Sequence, residues 1–259
     1  MSADAVSIRE TSVEGGLRSV LSALDALDCF QADEELGVTE VARRIGVAKS
    51  SAHRLLTTLC ARGLAERVEE NGRYRLGLHL YELGQLVIER NAMRKGAMVM
   101  LQELHHLTGC TIHLAVPDGS EVVYLERLVE KSSVRAFSQV SRRLPSHCTG
   151  SGKVIAAFTP VAASARSVAG FTPMTTQSIH SSAQYDKALV DIRKKGFAMN
   201  IDEALTGFTS VAAPVLGHDG MARAAISIVW PNRQMLAGVG RPVRLVQTAA
   251  RRLSKELCL

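Results

Sequence analysis

The segment that most restricts the fold of this 259-residue chain is a pair of short amphipathic helices predicted on either side of Gly46, within residues 38–64. Val41 and Ile45 lie one turn apart on the first helix. The second helix buries apolar side chains at helical spacing: Ala52, Leu55, Leu56 and Leu59. In helix-turn-helix proteins the second helix enters the DNA major groove, and side chains near its N-terminus contact base edges. The segment therefore predicts a DNA-binding domain.

The flanking residues predict the rest of a winged helix-turn-helix. Thr39 is a candidate N-cap for the first helix of the pair, with Glu40 favourable to the helix dipole. Downstream, Asn71-Gly72 stands between two short alternating segments and is a strong hairpin signal. Residues 77–90 predict a connecting helix. Upstream, apolar side chains recur at spacings of three and four and predict one further helix: Leu17, Val20, Leu21, Leu24 and Leu27.

The polar face of the second helix supplies most of the candidate DNA contacts. Arg54 is the candidate for reading guanine, because its guanidinium matches two acceptors on that base. A lysine and two serines nearer the helix N-terminus are candidates for phosphate. On the hairpin, Arg73 and Arg75 alternate onto one face, where a wing contacts phosphate. The full set of candidates is Arg43, Lys49, Ser50, Ser51, His53, Arg54, Thr58, Arg73 and Arg75.

The position of the charges supports this prediction better than their sum. The net charge is +6, yet residues 1–95 carry 13 Lys plus Arg against 14 Asp plus Glu, and the excess of 18 over 11 lies in residues 96–259. Within residues 38–64, by contrast, there are five cations and one acid. A mild basic surplus is compatible with an ordinary solvated surface. The local cluster is the informative feature.

Composition excludes several other classes of protein. With 46% hydrophobic and 22% charged residues the chain can bury a core, and only 4% of the residues are aromatic. No apolar run is long enough to span a membrane. Residues 1–15 lack a signal-peptide pattern and are expected to be disordered. The cysteines form no CxxC pair, which favours reduced thiols in the cytoplasm over disulfides or zinc: Cys29, Cys60, Cys110, Cys148 and Cys258.

The remainder of the chain mixes strands and helices. Two further hairpins are predicted around residues 117–120 and 218–220, and helices are predicted between and after them. Antiparallel turns together with helices indicate an α+β domain. The expected organisation is a disordered segment at 1–15, a winged helix-turn-helix at 16–77, a linker helix at 78–92 and an α+β domain at 93–259.

Five sequence pieces together resemble the IclR family of bacterial transcriptional regulators, from about residue 16 to residue 257. They are VAKSSAHRLL at 47–56, YRLG at 74–77, LPSHCTGSGK at 144–153, RKKGFA at 193–198 and VAAPV at 211–215. The resemblance implies a winged helix, a linker helix and a GAF-like effector-binding domain. It also implies dimers or tetramers that bind palindromic operators in double-stranded DNA. The family often has proline where this chain has Ala48.

The resemblance also implies a site for a small organic acid. Its carboxylate would bind the backbone amides at the start of the helix that follows Thr149, and helix N-termini suit anions for reasons independent of the family. Three positions are less acidic or more apolar than in some relatives, which fits a bulkier acid, for example an aromatic one. The residues carried over are Ala136, Leu144, Gly150, Ser151, Asn200, Ser210 and Ser227.

Other interpretations of these residues were weighed. Residues 149–153 do not fit a phosphate-binding loop, because the first glycine would fall on His147 and no Ser or Thr follows Lys153. Cys148 could be a redox-sensitive thiol, although a packing role is favoured. No metal, cofactor or membrane partner is expected. The leading hypothesis is a ligand-responsive regulator, with repression preferred; the alternatives are an enzyme acting through the C-terminal domain and a DNA-binding protein that senses no ligand.

Overall fold

The structure, a computed structural model, describes residues 16–138, 140–234 and 238–256. The chain divides into two compact units, and the boundary lies between Arg90 and Asn91. The helix predicted as a linker therefore belongs to the N-terminal unit. The segment expected to be disordered, 1–15, lies outside the described residues. None of the helices in the described ranges has the length and apolarity needed to cross a membrane.

The N-terminal unit is a small helical domain with a two-stranded wing. Its elements are α1 (Arg18–Asp28), α2 (Val38–Arg44), α3 (Lys49–Ala61), β1 (Ala65–Arg67), β2 (Tyr74–Leu76) and α4 (Leu78–Arg90). Leu36, Val41 and Leu56 are buried in its core. This arrangement has the helices, turn and hairpin of the predicted winged helix-turn-helix.

The predicted N-cap of α2 is wrong. The helix begins at Val38 and Gly37 occupies the N-cap position, so Thr39 lies inside the first turn. The Gly37 amide donates to Glu40 Oε2 at 2.7 Å. A Cβ on residue 37 would lie 3.2 Å from that same oxygen, so glycine leaves room for the returning carboxylate. The Glu40 carboxylate therefore accepts a hydrogen bond from the backbone amide at the start of α2, and the Thr39 side chain is not needed as a cap.

The wing is held by an ordinary antiparallel ladder and by one contact to the helices. Ala65 pairs with Leu76, and Tyr74 pairs both with Arg67 and, as an isolated bridge, with Leu36. Gly72 has a φ of +67°, the left-handed conformation that the Asn-Gly signal predicts at the turn. The bridge fixes the wing relative to the segment before α2, so the hairpin is part of the domain core.

The C-terminal unit is built on one six-stranded antiparallel sheet with the order β5-β4-β3-β8-β7-β6. Its strands are β3 (Thr111–Asp118), β4 (Glu121–Leu128), β5 (Arg143–Pro145), β6 (Ala198–Ile201), β7 (Phe208–Leu216) and β8 (Ala222–Pro231). Its helices are α5 (Ala92–Thr108), α6 (Val134–Ser138), α7 (Gly150–Phe158), α8 (Pro160–Ala169), α9 (Ser182–Lys195) and α10 (Gly240–Glu256). The α+β class is confirmed; β5, β6, α6 and α8 were not predicted.

The two faces of this sheet have different environments. Ile112 and Leu114 point to the side covered by α5 and α10, where they join an aliphatic core. Because successive strand residues point to opposite faces, His113 and Ala115 point to the other side. That side is covered mainly by α7, and α8 and α9 pack on α7. It is the side on which the sheet leaves an internal cavity.

Candidate DNA-binding and effector sites

Helix α3 presents an exposed polar face. Its buried positions are Ala52, Leu56 and Leu59, while Leu55 is half-buried. All the candidate contacts predicted on this helix are exposed, as is Arg43 at the end of α2: Lys49, Ser50, Ser51, His53, Arg54 and Thr58. The N-terminal half of α3 can therefore approach a DNA groove without rearrangement of the domain.

Two of the predicted phosphate-binding cations are engaged within the protein. Arg73 donates to Glu40 Oε2 at 2.8 Å and to the Glu35 carbonyl at 2.9 Å. Arg75 forms an ion pair with Glu66 at 3.0 Å. The Arg73 contacts attach the wing to α2 and to the segment before it, whereas the Arg75 pair joins the two strands of the wing. Both sets of contacts reduce the charge that the arginines present. Their contact with phosphate stays a prediction.

The cations left for DNA lie on or beside α3. Among the described residues, Arg43, Lys49, Arg54 and Arg67 are exposed and have no carboxylate partner within ion-pair distance. Arg67, at the end of β1, was not predicted as a candidate. Its place on the first strand of the predicted hairpin, four residues before Asn71, is the sequence signal that indicates it.

The C-terminal unit contains a cavity on the α7 side of the sheet. Six of the seven predicted effector residues line it: Leu144, Gly150, Ser151, Asn200, Ser210 and Ser227. Ala136 is not among the lining residues; its neighbour Phe137 on α6 lines the cavity instead. These six residues come from five separate elements, β5, α7, β6, β7 and β8.

One end of the cavity is the N-terminus of α7. The Thr149 hydroxyl caps this helix by accepting from the Gly152 amide at 2.9 Å. The amides of Gly150 and Ser151, which have no acceptor inside the helix, are at the cavity wall. A Cβ at position 150 would lie 3.2 Å from Ser210 Oγ. Glycine therefore keeps this end open, and the amides and helix dipole suit a carboxylate.

Asn200 lines the cavity, and its amide group already makes two hydrogen bonds within the protein. Its Nδ2 donates to the Cys148 carbonyl at 2.6 Å, and its Oδ1 accepts from the Glu203 amide at 3.2 Å. Asn200 thus ties the segment before α7 to the loop after β6. These bonds position the wall of the cavity, and the predicted contact of Asn200 with the effector stays a prediction.

A buried ion pair fixes the same loop. Lys153 Nζ contacts Glu203 Oε2 at 2.7 Å and donates to the Met199 carbonyl at 2.8 Å. The lysine is buried, and burial raises the pKa of the Glu203 carboxyl while the charge of Lys153 lowers it. Ala204 and Leu205, immediately after Glu203, line the cavity. The pair therefore anchors the loop that closes one side of the site.

The other end of the cavity is aromatic. His113, on β3, lies with its ring centroid 4.7 Å from that of Tyr124 and 5.4 Å from that of Phe137, and Phe137 lies 5.1 Å from Phe208. Burial, followed by the charges of two nearby arginines, lowers the pKa of His113 to about 3. The imidazole is therefore neutral at neutral pH. The sequence analysis missed all four rings.

The family of this chain follows from two matches that together cover most of its length. The family model of the IclR helix-turn-helix domain matches residues 19–69, and that of the bacterial transcriptional regulator IclR C-terminal region matches residues 85–255. The chain belongs to the IclR family of bacterial transcriptional regulators. The resemblance carried by the five sequence pieces is thereby confirmed.

Individual IclR-family proteins agree with this assignment. The chain is 37% identical over 215 residues to the HTH-type transcriptional regulator XynR of Escherichia coli, covering 82% of this chain and 85% of the relative. The crystal structure of Thermotoga maritima IclR has a TM-score of 0.70 at 26% identity, over 93% of this chain and 99% of that chain. The structure of an IclR homologue from Microbacterium hydrocarbonoxydans, solved with 4-hydroxybenzoate, has a TM-score of 0.77 at 23% identity. The match covers 92% of this chain and 98% of that chain, and it shows that the two chains share a fold. The relatives are regulators, which points away from an enzyme.

The adjacent pair His147 and Cys148 has no activated thiol. Cys148 Sγ lies 3.2 Å from His147 Nε2, and both residues are buried. Burial raises the pKa of the Cys148 thiol, and burial lowers the pKa of His147 to about 4. Both groups are therefore neutral at neutral pH, whereas a nucleophilic cysteine requires a thiolate. The favoured packing role of Cys148 is consistent with this environment.

Proposed function

We propose that this IclR-family chain binds a specific operator through the N-terminal half of α3, and that a small organic acid bound in the C-terminal cavity changes that affinity. The observation that carries the first part is the exposed polar face of α3, whose two cations, Lys49 and Arg54, have no carboxylate partner within the described residues. The second part is supported by the cavity at the N-terminus of α7. We propose repression as the mode of action, to be tested with a reporter under the chain's own promoter.

Replacing Arg54 by alanine is expected to remove most of the preference for the operator. A bidentate contact from arginine to guanine discriminates against other bases by about 1–3 kcal/mol, which is roughly five- to 150-fold in relative affinity. The measurement is fluorescence anisotropy with an operator fragment, selected from a randomised DNA pool, and with a scrambled fragment of equal length.

The matched control for this test is Arg62→Ala. Arg62 is the C-cap residue of α3 and is also exposed. Its replacement therefore removes one positive charge, as Arg54→Ala does, but at the opposite end of the helix. We expect a smaller and equal loss on both DNA fragments, because a distant cation acts only through its charge. An unchanged ratio between operator and scrambled DNA in Arg54→Ala would contradict the base-reading role.

Replacing Gly150 by valine is expected to abolish effector binding. The new side chain would enter the cavity beside Ser210 and occupy the place of the carboxylate at the α7 amides. Calorimetric titration should show at least a tenfold loss of affinity for whichever acid stabilises the wild type in a thermal-shift panel of aliphatic and aromatic acids. We include 4-hydroxybenzoate in that panel because it is bound in the Microbacterium hydrocarbonoxydans homologue.

The effector-free affinity for operator DNA is the internal control for this variant. Gly150 lies in the C-terminal unit, and the base-reading face proposed on α3 lies in the N-terminal one. We expect Gly150→Val to bind operator like the wild type and to lose the response to the acid. Retained response to the acid would contradict the assignment of the α7 amides.

We also propose that the chain self-associates, as a dimer or tetramer, through exposed apolar side chains of the N-terminal unit. None of the thirteen residues of α4 is buried, although the helix is rich in apolar side chains. Those most exposed on α1 and α4 are Leu17, Val20, Leu24, Leu78, Tyr81 and Val87. Apolar surface of this kind marks an interaction site, and a palindromic operator requires two copies.

Val87→Glu is expected to weaken this association. A carboxylate placed on α4 would have to be desolvated at the contact between copies. Light scattering should show a smaller mass at micromolar concentration, and operator affinity should fall while the thermal stability stays near that of the wild type. Glu89→Gln, on the same helix at an exposed position, is the control and should leave the mass unchanged.

A further inference from the structure

The positive charge of this chain is concentrated on one helix of the C-terminal unit. Residues 96–259 carry 18 Lys plus Arg against 11 Asp plus Glu. Helix α10 holds five of these cations and one of these acids, which is more than half of the excess. Residues 1–95 have no such surplus, with 13 cations against 14 acids. The part of the chain that contains the helix-turn-helix is therefore nearly neutral as a whole.

The cations of α10 lie on the side of the helix opposite its buried residues. The buried side chains are Pro242, Val246, Ala249, Ala250 and Leu253. All five cations are exposed, and together they form what we call the α10 basic face: Arg241, Arg244, Arg251, Arg252 and Lys255. At 3.6 residues per turn, these five positions fall within roughly 100° of arc. An ordinary solvated face mixes both signs of charge, whereas this one is almost entirely positive.

Much of this charge is available to a partner. Arg252 is paired with Glu103 and Glu256, at 3.3 and 2.7 Å. Arg251 donates only from Nε, to the Gln247 carbonyl at 3.2 Å. Within the described ranges, three arginines of the face have no carboxylate at ion-pair distance: Arg241, Arg244 and Arg251. Arg244 and Arg251 are separated by two turns, about 10 Å along the helix axis.

The neighbouring end of α9 does not neutralise the α10 basic face. Gln247 lies between Arg244 and Arg251 on the helix, and its Nε2 donates to the carbonyls of Lys195 and Gly196 at 3.1 and 3.3 Å. The last carbonyls of a helix carry negative partial charge. A neutral amide thus covers two of them. Lys194, the residue before this contact, is exposed and adds a further cation.

The residues of the α10 basic face fit a phosphate backbone better than a protein or a membrane. Apart from its cations, the exposed side of the helix carries a hydroxyl at Thr248. Arginine, lysine and threonine are side chains that contact phosphate oxygens in DNA complexes. No large apolar side chain of α10 is exposed. Protein interfaces, by contrast, are enriched in aromatic residues, and membrane-surface helices present an apolar face.

We propose that the α10 basic face is a second DNA-binding surface, which contacts phosphates and supplies affinity that does not depend on sequence. Such affinity comes almost entirely from Lys and Arg that neutralise phosphates and release counterions. A nearly neutral N-terminal region provides little of it, whereas α10 provides a row of exposed arginines. This inference goes beyond the proposed function, in which α3 reads the operator.

The test measures binding of the full-length protein to a scrambled DNA fragment by fluorescence anisotropy, at salt concentrations from about 50 to about 200 mM. In Arg244→Gln/Arg251→Gln, the slope of log affinity against log salt should be shallower by about 1.8, because each phosphate contact contributes about 0.9. Over this range the wild-type affinity should fall about tenfold more than that of the variant. The ratio of operator to scrambled affinity should stay unchanged, because phosphate contacts carry no sequence information.

The matched control is Lys131→Gln/Lys187→Gln, which removes two charges elsewhere on the C-terminal unit. Lys131 lies between β4 and α6, and Lys187 lies two turns before the end of α9. Both are exposed, and neither has a carboxylate partner in the part of the chain that the structure describes. This variant should keep the wild-type slope. An equal change of slope in both double variants would reflect net charge alone and overturn the proposal.

Further outcomes separate this inference from the proposed function. Arg244→Lys/Arg251→Lys keeps both charges and should keep the wild-type slope; a slope as shallow as that of the glutamine variant would overturn a phosphate contact. An unchanged slope in Arg244→Gln/Arg251→Gln would also overturn it, while operator reading by α3 would stand. A smaller mass of that variant in light scattering would instead assign the face to a contact between copies. If that variant does not fold, Arg241→Gln/Arg251→Gln should show the same shallower slope, and a wild-type slope there would overturn the proposal.

Discussion

Replacing Lys153 by methionine is expected to destabilise the C-terminal unit by about 3–5 kcal/mol, because it leaves the buried Glu203 carboxylate without its counter-charge. Lys153 is 5% exposed, and its ammonium also donates to the Met199 carbonyl. The loop that follows Glu203 should lose its anchor, so effector affinity should fall together with stability. Urea unfolding monitored by circular dichroism measures the first effect, and calorimetric titration measures the second.

Two further variants make this prediction specific. The double variant Lys153→Met/Glu203→Leu removes both charges and should recover much of the lost stability, since apolar replacement of a buried pair is often neutral or better. Lys195→Met breaks the exposed pair with Asp191, in which both side chains are more than half exposed, and should change stability by less than about 1 kcal/mol. Equal effects of Lys153→Met and Lys195→Met would show that burial of the first pair is energetically unimportant.

Replacing Gly152 by alanine is expected to destabilise the same unit by about 3 kcal/mol, near the upper end of the usual cost of overpacking. A Cβ at this position would overlap the backbone of Ser146, including its carbonyl carbon and Cα. Backbone atoms cannot move aside as a flexible side chain can, so the start of α7 must shift. Because Gly150 and Ser151 lie in the same turn, acid binding should be lost as well. Thermal unfolding and titration with the acid measure the two effects.

The control for this variant is Gly240→Ala in the first turn of α10. There an added Cβ would approach only the Arg244 guanidinium, at 3.5 Å, and that side chain is free to move. We expect a stability equal to or slightly above that of the wild type, because alanine restricts the unfolded chain more than glycine does. If both alanine variants were equally stable, close approach of α7 to Ser146 would not constrain the fold.

The N-terminal domain was predictable because its signals are local. Helical spacing of Leu55, Leu56 and Leu59 gives the buried face of α3, and Asn71-Gly72 gives the wing turn. The prediction failed at Thr39, because the N-cap position is occupied by Gly37 two residues earlier. The choice of Gly37 depends on the Glu40 side chain returning to its amide, a contact that spacing alone does not rank.

The elements missed in the C-terminal unit are those whose signal is short or depends on partners. β5 ends in proline and has three residues, which are too few to show alternation. It forms a strand because Leu144 pairs with Val122 of β4. β6 is defined by its ladder to β7, in which Asn200 pairs with Ser210. Edge strands of this kind are specified by the neighbour that they join, and the sequence of the strand alone carries little of that information.

The sequence by itself determined the winged helix-turn-helix, the exposed cations of α3 and, through its resemblance to the IclR family, the residues Gly150 and Ser151 that line the α7 end of the cavity. These features depend on residues close together in the chain or on a run of ordered motifs. Only the tertiary structure decided that Arg73 is paired with Glu40 and that Asn200 is occupied as a positioning group. It alone placed His113, Tyr124, Phe137 and Phe208 around one cavity. The physical reason is that such contacts join residues far apart in sequence, and their partners are chosen by the register of the sheet and by close packing.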